Sequence, residues 1–557
     1  RWEVAGAIPR DVDAELAGYP SYLRPVFAGR GLRSAGEAQA FLHGESPSID
    51  PFEFAEMEKA ARRLWQAVRE GEFIAVYGDY DADGVSATAL ITSFLAGLGA
   101  RVQAYIPNRF DEGYGLNNWA IDLLASAGAE LILTVDCGIR SIEEASHARE
   151  LGVDMIVTDH HQPGAALPEA YAVVATQHPG NGPVDTNLAG VGLAYQLVIA
   201  LAQVAKVPFD EDAWLDLVAL GTVADVVPLV GENRRLVRRG LRALHRRARP
   251  GLAALMGVAS VSPQQVTAHH IGFALGPRIN AAGRLESADT ALRLLLSKEP
   301  AEAGLLAQRL EDLNRQRQRL TEVTVEAVRR ELPVERHPAV IIARGNDYNL
   351  GIVGLAASKL ADAYYRPALV GRWEGDATRG SCRSIEGFSI IDALDACAPL
   401  LAKHGGHAAA AGFTVLNQNW EAFCERLELV AEDALAELDP RPVLRLDSEV
   451  TLGELRPVDW PVFEALEPLG MGNPEPAFLA RNLRVLSCSP MGAGGRHLRM
   501  NLKADGQVME AVGFGMGGLA GGIPPVVDAA FHYDRDMFRG QEQFRLRLLD
   551  LRPAAVG

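Results

Sequence analysis

The hydrophobic period of the chain changes several times, and each change marks a different architecture. Phe73-Ile74-Ala75-Val76-Tyr77 is a short unbroken apolar run, as expected of a strand buried on both faces. A Gly- and Asp-rich turn follows, then a helical stretch from about Val85 to Leu98. The unit repeats, with strands at Val102 to Ile106, Leu131 to Val135 and Met155 to Thr158, and helices at Asn117 to Ala127 and Ser141 to Leu151. Strands alternating with helices predict an α/β fold with a parallel sheet covered on both faces. Residues 1–50 read as a short helical preface, and residues 188–300 as mostly helical.

From Ala301 to Leu332 one long helical pattern keeps Leu306, Leu310, Leu313 and Leu320 on a single stripe. At 1.5 Å per residue it spans roughly 45–50 Å, enough to bridge two domains across a groove. Pro333 and Pro338 end it, and a second, smaller α/β segment begins at Ala339-Val340-Ile341-Ile342. After Pro440 and Pro442 the period becomes two. His497 to Lys503 and Phe544 to Leu548 alternate strictly, which predicts an antiparallel sheet or small barrel. The polar face of both strands is basic and suits contact with a polyanion. The expected divisions are a 1–50 N-terminal helical segment, a 51–300 catalytic domain, a 301–335 connecting helix, a 336–440 second α/β domain and a 441–557 barrel of OB-fold type.

Composition narrows the class. A chain of 557 residues, 48% hydrophobic and 22% charged, predicts about three or four folded domains and excludes global disorder. No run approaches the roughly 20 apolar residues of a membrane span, and there is no basic-then-apolar leader. The expected location is the cytoplasm. The five cysteines are scattered without a Cys-x-x-Cys pair, as for reduced thiols. The net charge of −17 argues against a nucleic-acid partner unless basic groups are gathered locally. Residues 234–249 contain eight arginines (Arg234, Arg235, Arg238, Arg239, Arg242, Arg246, Arg247, Arg249), which leaves a basic groove and a solvated helix face both open.

The chemistry sits at strand ends, where open parallel sheets bind ligands. The first strand runs into Gly78-Asp79-Tyr80-Asp81-Ala82-Asp83-Gly84, the third into Asp136, and the fourth into Asp159-His160-His161. Asp225 follows an apolar helix. Carboxylates crowded at one rim repel each other, and a bound cation resolves the conflict. Oxygen and imidazole donors suit Mn²⁺ or Mg²⁺. A calcium-binding EF-hand loop fails, because position twelve counted from Asp79 is Leu90 rather than Glu. One of the three aspartates of the turn can instead be a helix cap, and Asp159 can orient His160 from behind. Five or six donors exceed the needs of one ion. They fit a pair of ions bridged by Asp136, the arrangement that serves phosphoester hydrolysis. Cys137, with no base beside it in sequence, reads as buried structure.

These motifs resemble those of the DHH phosphoesterase superfamily: the Gly78–Gly84 turn, Asp136, Asp159-His160-His161 and Asp225. Gly405-Gly406-His407-Ala408-Ala409-Ala410-Ala411-Gly412-Phe413 resembles the DHHA1 substrate-binding domain. Gly276-Pro277-Arg278-Ile279-Asn280-Ala281-Ala282-Gly283-Arg284, the long helix and a barrel with Glu467-Pro468-Leu469-Gly470-Met471-Gly472-Asn473-Pro474-Glu475-Pro476 are similar to the RecJ family of single-strand-specific 5′→3′ exonucleases. Tyr77 stands where pyrophosphatase-type relatives carry His, and Asp79 is either a direct ligand or one acting through water.

The resemblance implies that Asp79, Asp81 and Asp136 hold one metal, and Asp83, Asp136, His160 and Asp225 the other. It implies that His161 faces the scissile phosphate and that His407 contacts it from the second domain. Arg109, Ser381, Arg383 and Ser384 become candidates for a terminal 5′-phosphate, and Arg278, Asn280 and Arg284 for the adjoining backbone. Each of these arginines has an ion-pair alternative. Tyr114 is a candidate for base stacking or for the core. The implied activity is Mn²⁺- or Mg²⁺-dependent hydrolysis of single-stranded DNA to mononucleotides in repair and recombination, with a single-strand-binding protein and a helicase as partners. The competing readings are a hydrolase of short oligonucleotides or small phosphoesters, and a metal-free replication scaffold.

Overall fold

The computed structural model describes residues 1–44, 48–108, 112–113, 115–333, 337–436, 438, 441–538 and 541–554. A three-residue strand, β1 (Trp2–Val4), opens the chain. The first sheet follows, with β2 (Phe73–Gly78), β3 (Arg101–Tyr105), β4 (Leu131–Val135), β5 (Asp154–Asp159) and β6 (Ala172–Ala175) in the parallel order β3-β2-β4-β5-β6. Alternate residues of each strand serve opposite faces, as the pleat requires. Ile74, Val76, Leu131 and Leu133 pack against helices Met57–Glu70, Ala82–Gly97 and Gly190–Ala205. Phe73, Ala75, Tyr77 and Ile132 pack against Asn118–Ser126 and Ile142–Glu150. Helix Gly190–Ala205 is apolar almost all round, because the sheet-side layer and Leu215–Ala224 enclose it.

Helix Pro300–Glu331 has 32 residues, about 48 Å at the standard rise. It packs on Pro250–Val258 and Gly276–Leu285 near one end and on Val353–Tyr364 near the other. The second sheet comprises β7 (Ile341–Gly345), β8 (Ala368–Glu374), β9 (Ala377–Arg383), β10 (Leu401–His407) and β11 (Ala410–Leu416), in the order β10-β11-β9-β8-β7. Only β7 and β8 run parallel, and the rest are hairpin-connected or antiparallel.

After β12 (Leu444–Leu446) and β13 (Ser448–Glu449) the chain forms β14 (Phe478–Met491), β15 (His497–Ala504), β16 (Gln507–Gly513), β17 (Val526–Phe538) and β18 (Gln541–Pro553). Pairing of β14 with β17 closes these last five strands into a barrel and removes its open edges.

The structure adds to two expectations. The N-terminal segment carries the expected helices, at Arg10–Glu15, Arg24–Gly29 and Ala35–His43, and it also packs into the barrel. β1 pairs in parallel with β12, and Leu16, Tyr22, Leu23, Val26 and Phe27 complete the barrel core with Phe463, Phe478 and Phe531. A three-residue strand carries no readable period, and its partner lies more than 400 residues away. The basic barrel face is also in part paired within the fold. Arg545 pairs with Asp534 and Asp536, Arg547 with Glu475, and Arg499 with Glu510. Asp534 lies directly opposite Arg545 across β17 and β18, a neighbour set by register and invisible within either strand alone.

The arginine-rich helix Gly231–Arg247 joins the first body to the barrel. Arg234 is buried, stacks 3.8 Å over Phe41, and donates to the carbonyls of Leu466, Pro468, Ala465 and Phe41. Arg238 also donates to Ala465. Asn473 holds the same turn from within, donating to Leu466 and Pro468, and Leu229 N donates to Met471 O at 2.7 Å. The Glu467–Pro476 motif is therefore the seam on which the barrel docks.

Candidate metal centre

Asp79 leaves the end of β2, and Asp81 caps the helix that follows, accepting from the amides of Asp83 and Gly84 at 2.9 and 3.1 Å. Asp81 thus has the capping role considered for one member of the turn. Asp83 lies in the first turn of that helix, and its carboxylate accepts from the amides of Gly190 and Val191 at 2.7 and 3.0 Å. Those two amides open another helix, whose positive end steadies the negative charge. Asp136 follows the central strand β4 in a left-handed conformation, φ 62°. Such a φ is uncommon outside glycine and turns the side chain sharply after the strand. Asp225 closes helix Leu215–Ala224.

The close approach is made possible by two glycines. A Cβ on Gly190 would lie 2.6 Å from Asp136 Oδ1, and one on Gly221 would lie 2.6 Å from Asp83 Oδ1. Asn280 braces the loop, its Oδ1 accepting from Ala82 N at 2.7 Å, and a Cβ on Gly283 would meet the Tyr80 carbonyl at 2.7 Å.

Three sets of donor atoms each gather within 4.8 Å: Asp79, Asp81 and Asp136; Asp83, His160 and Asp225; Asp136, His160 and His161. His160 Nε2 is 3.1 Å from Asp136 Oδ1, 3.6 Å from Asp225 Oδ2 and 3.9 Å from Asp83 Oδ2. Both His160 Nε2 and Asp136 Oδ1 are buried, and neither has a hydrogen-bond partner among the described residues. Asp159 orients His161 rather than His160. Its Oδ1 accepts from the ring Nδ1 at 2.7 Å and the backbone N at 3.0 Å, while Oδ2 accepts from Ile139 N at 2.9 Å. The turn after β5 brings the His161 ring back over Asp159, a geometry that the order of the tripeptide does not reveal.

The electrostatics match this crowding. Burial, with repulsion from Asp81, pushes the Asp83 carboxyl up to about 7. Burial and Asp83 push Asp225 up to about 9. Burial and the surrounding aspartates push Asp136 well above its ordinary range. Burial holds His160 down at about 4, as an unprotonated imidazole. For His161 burial acts in the same direction, but the Asp159 hydrogen bond outweighs it and raises the ring to about 9. Carboxylates held against their own repulsion, with a neutral imidazole among them, form a donor set suited to divalent cations of the Mn²⁺ and Mg²⁺ type. Cys137 lies outside that set: its buried thiol is pushed far up, and Sγ faces the Tyr77 carbonyl at 3.7 Å.

A cleft of about 670 Å³ opens from Tyr80, between Asp79 and Asp81, toward the second sheet. Ser381 lines it. Arg379, Lys403 and His404 also line it and were not singled out from the sequence. Strand alternation carries the missed signal, since Arg379, Ser381 and Arg383 share one face of β9.

The other expected substrate contacts have structural partners. Arg278 pairs with Glu311 at 2.7 Å and donates to Ala274 O, its ion-pair alternative. Arg284 donates to Gly351 O at 3.4 Å, joining its helix to the second body. Arg383 donates to its neighbour's carbonyl at Cys382, and Ser384 Oγ to Phe388 O. His407 is exposed at the β10–β11 hairpin, opposite Ala410, outside the cleft lining. Arg109 and Tyr114 lie outside the described residues.

Family models match three stretches: the DHH family N-terminal domain at residues 73–222, the DHHA1 domain at 337–433 and the RecJ OB domain at 446–550. The single-stranded-DNA-specific exonuclease RecJ of Salmonella typhimurium is 36% identical over 98% of this chain and 98% of its own length. The same-named protein of Bacillus subtilis is 39% identical over 89% of this chain, which spans 63% of that relative. A crystal structure of RecJ in complex with Mn²⁺ from Thermus thermophilus superposes with a TM-score of 0.87 at 32% identity, covering 100% of this chain and 80% of that one. A second structure of that protein is a complex with Mg²⁺, at a TM-score of 0.81 and 31% identity, covering 100% of this chain and 79% of that one. With the strand-end carboxylates, the paired histidines and the closed barrel all in the same framework, the chain belongs to the RecJ family.

Proposed function

We propose that this protein hydrolyses single-stranded DNA from its 5′ end to mononucleotides, using two divalent cations, Mn²⁺ or Mg²⁺, in DNA repair and recombination. The observation that carries the reading is the sharing of Asp136 and His160 among overlapping donor sets. Asp79, Asp81 and Asp136 would hold one ion, and Asp83, Asp136, His160 and Asp225 the other. When bound, such a pair supplies an activated water and neutralises charge in an in-line displacement at phosphorus.

The protein's own groups do the positioning. Gly190 and Val191 amides fix Asp83, and Asn280 fixes the loop beneath it. Asp159 anchors one ring nitrogen of His161, which leaves the protonated imidazole to donate to a phosphate oxygen. Arg379, Ser381 and Lys403 in the adjoining cleft would hold the terminal 5′-phosphate, because guanidinium and hydroxyl donors match its oxygens. Capture of the terminal phosphate in this cleft would give a strand its polarity. A single-strand-binding protein and a helicase are the partners that such a reaction calls for.

The test is digestion of a long 5′-phosphorylated strand in Mn²⁺, beside a duplex and a 5′-blocked strand. Release of mononucleotides from the free single strand only, abolished by EDTA, is the expected result. Cleavage confined to di- to tetranucleotides would make it a short-oligonucleotide hydrolase. No metal uptake at millimolar Mn²⁺ would make it a scaffold.

A further inference from the structure

The arginine-rich segment is only partly used by the fold. Arg234 and Arg238 bind the barrel seam, Arg235 pairs with Glu232, Arg239 with Glu211 and Asp212, and Arg249 with Asp216. Arg242 and Arg246 have no ion pair or hydrogen bond among the described residues, and neither has Lys298. All three line one open cavity of about 750 Å³, on a chain whose net charge is −17. That volume lies within the roughly 300–1,000 Å³ typical of small-molecule sites.

The cavity walls favour an anion with an aromatic part. Of the three aspartates in the lining, Asp212 and Asp216 are neutralised by Arg239 and Arg249, and Asp210 accepts from the amide of Asp212. Helices Leu215–Ala224 and Pro250–Val258 begin at the cavity; in the first, the Asp216 carboxylate accepts from the amide of Leu217 at 2.9 Å, and the second has no side-chain cap. The uncapped first turn of Pro250–Val258 and its dipole add to the three cations. Trp214 forms part of the wall. Its ring is fixed edge-on against Phe94, 6.1 Å between centroids at 81°.

We propose that this cavity binds a 5′-mononucleotide, with phosphate on Arg242, Arg246 and Lys298 and base against Trp214. The site is separate from the metal centre. The choice of a deoxynucleotide rests on the nuclease reading, which makes that compound the reaction product.

Equilibrium dialysis of dAMP against the full chain in EDTA tests it. Wild type and Asp136→Ala are expected to bind one equivalent alike. Arg242→Ala/Arg246→Ala and, separately, Lys298→Ala are expected to weaken binding at least tenfold with unchanged circular dichroism. Single-strand hydrolysis by the double variant at saturating substrate is expected to match wild type. No retention of dAMP by wild type, or equal retention by the double variant, overturns the proposal. Competition by inorganic phosphate as strong as by dAMP overturns the role of Trp214. Loss of long-strand binding in the double variant with dAMP binding intact overturns it in favour of a strand track. A chain that binds dAMP as expected but degrades no DNA sinks the nuclease reading alone.

Discussion

His160 Nε2 and Asp136 Oδ1 face each other at 3.1 Å, both buried, without a hydrogen bond between them or to any other described group. Buried polar atoms left this way cost about 1–3 kcal/mol each, so a third species that binds both is the physical resolution. Asp136→Ala is expected to abolish hydrolysis while leaving binding of a single strand largely intact. The loss should exceed the roughly 10–100-fold that follows removal of a merely supporting partner. Turnover and strand binding measured on one preparation check this, and retained turnover would remove Asp136 from its bridging position.

The stability of the metal-free protein should fall as pH rises from about 6.5 to about 9. In that window Asp225 and His161 titrate near 9 in the folded state and Asp83 near 7, each above its unfolded value. The folded state therefore binds more protons than the unfolded one, and raising pH favours unfolding. Mn²⁺ binds the deprotonated donors, so its stabilisation should grow over the same range. Thermal melts with EDTA or Mn²⁺ at several pH values read both trends, and a Mn²⁺ effect that shrinks with pH contradicts the assignment.

Asp159→Asn should act through His161. The variant keeps the size of the side chain but loses the charge that raises the ring to about 9. The His161 ring should then titrate closer to its ordinary value in an NMR pH series, and kcat should drop roughly 10–100-fold with KM nearly unchanged. An unaltered titration would show that some other group sets the ring.

Gly190→Ala is expected to impair metal uptake although residue 190 contributes no side-chain donor. The added methyl would fall 2.6 Å from Asp136 Oδ1, within a wall that also supplies the amide to Asp83. Calorimetric titration with Mn²⁺ should show weakened binding while the circular dichroism stays native. Undiminished affinity would mean that the carboxylate can move aside freely.

Arg234→Ala should loosen the barrel. It strips donors from carbonyls at Phe41, Ala465, Leu466 and Pro468 in a buried seam. The expected loss is about 3 kcal/mol, the scale of a broken buried network. Urea unfolding followed by tryptophan fluorescence measures it, and a change below about 0.5 kcal/mol would mean that water replaces the guanidinium.

The α/β class, the long helix and the carboxylates of the rim were legible because each is a local property. An apolar pentapeptide such as Phe73–Tyr77 announces a buried strand, and an aspartate at a strand end lies at the ligand-binding edge wherever the rest of the sheet goes. What stayed hidden depends on register and on contacts between remote segments. Nothing within residues 1–44 states that Tyr22 and Phe27 complete a barrel core begun after residue 440. The polar face of β18 reads as basic until its pairing with β17 sets Asp534 beside Arg545. Sequence spacing also gave no sign that folding pairs Arg278 with Glu311 and sets Asn280 against the amide of Ala82. The chain by itself determines which groups are available for chemistry, since side-chain type and local period are written residue by residue. Their partners are settled only when strands and helices pack, because a hydrogen bond or ion pair depends on distances of a few ångströms between atoms that the sequence keeps hundreds of residues apart.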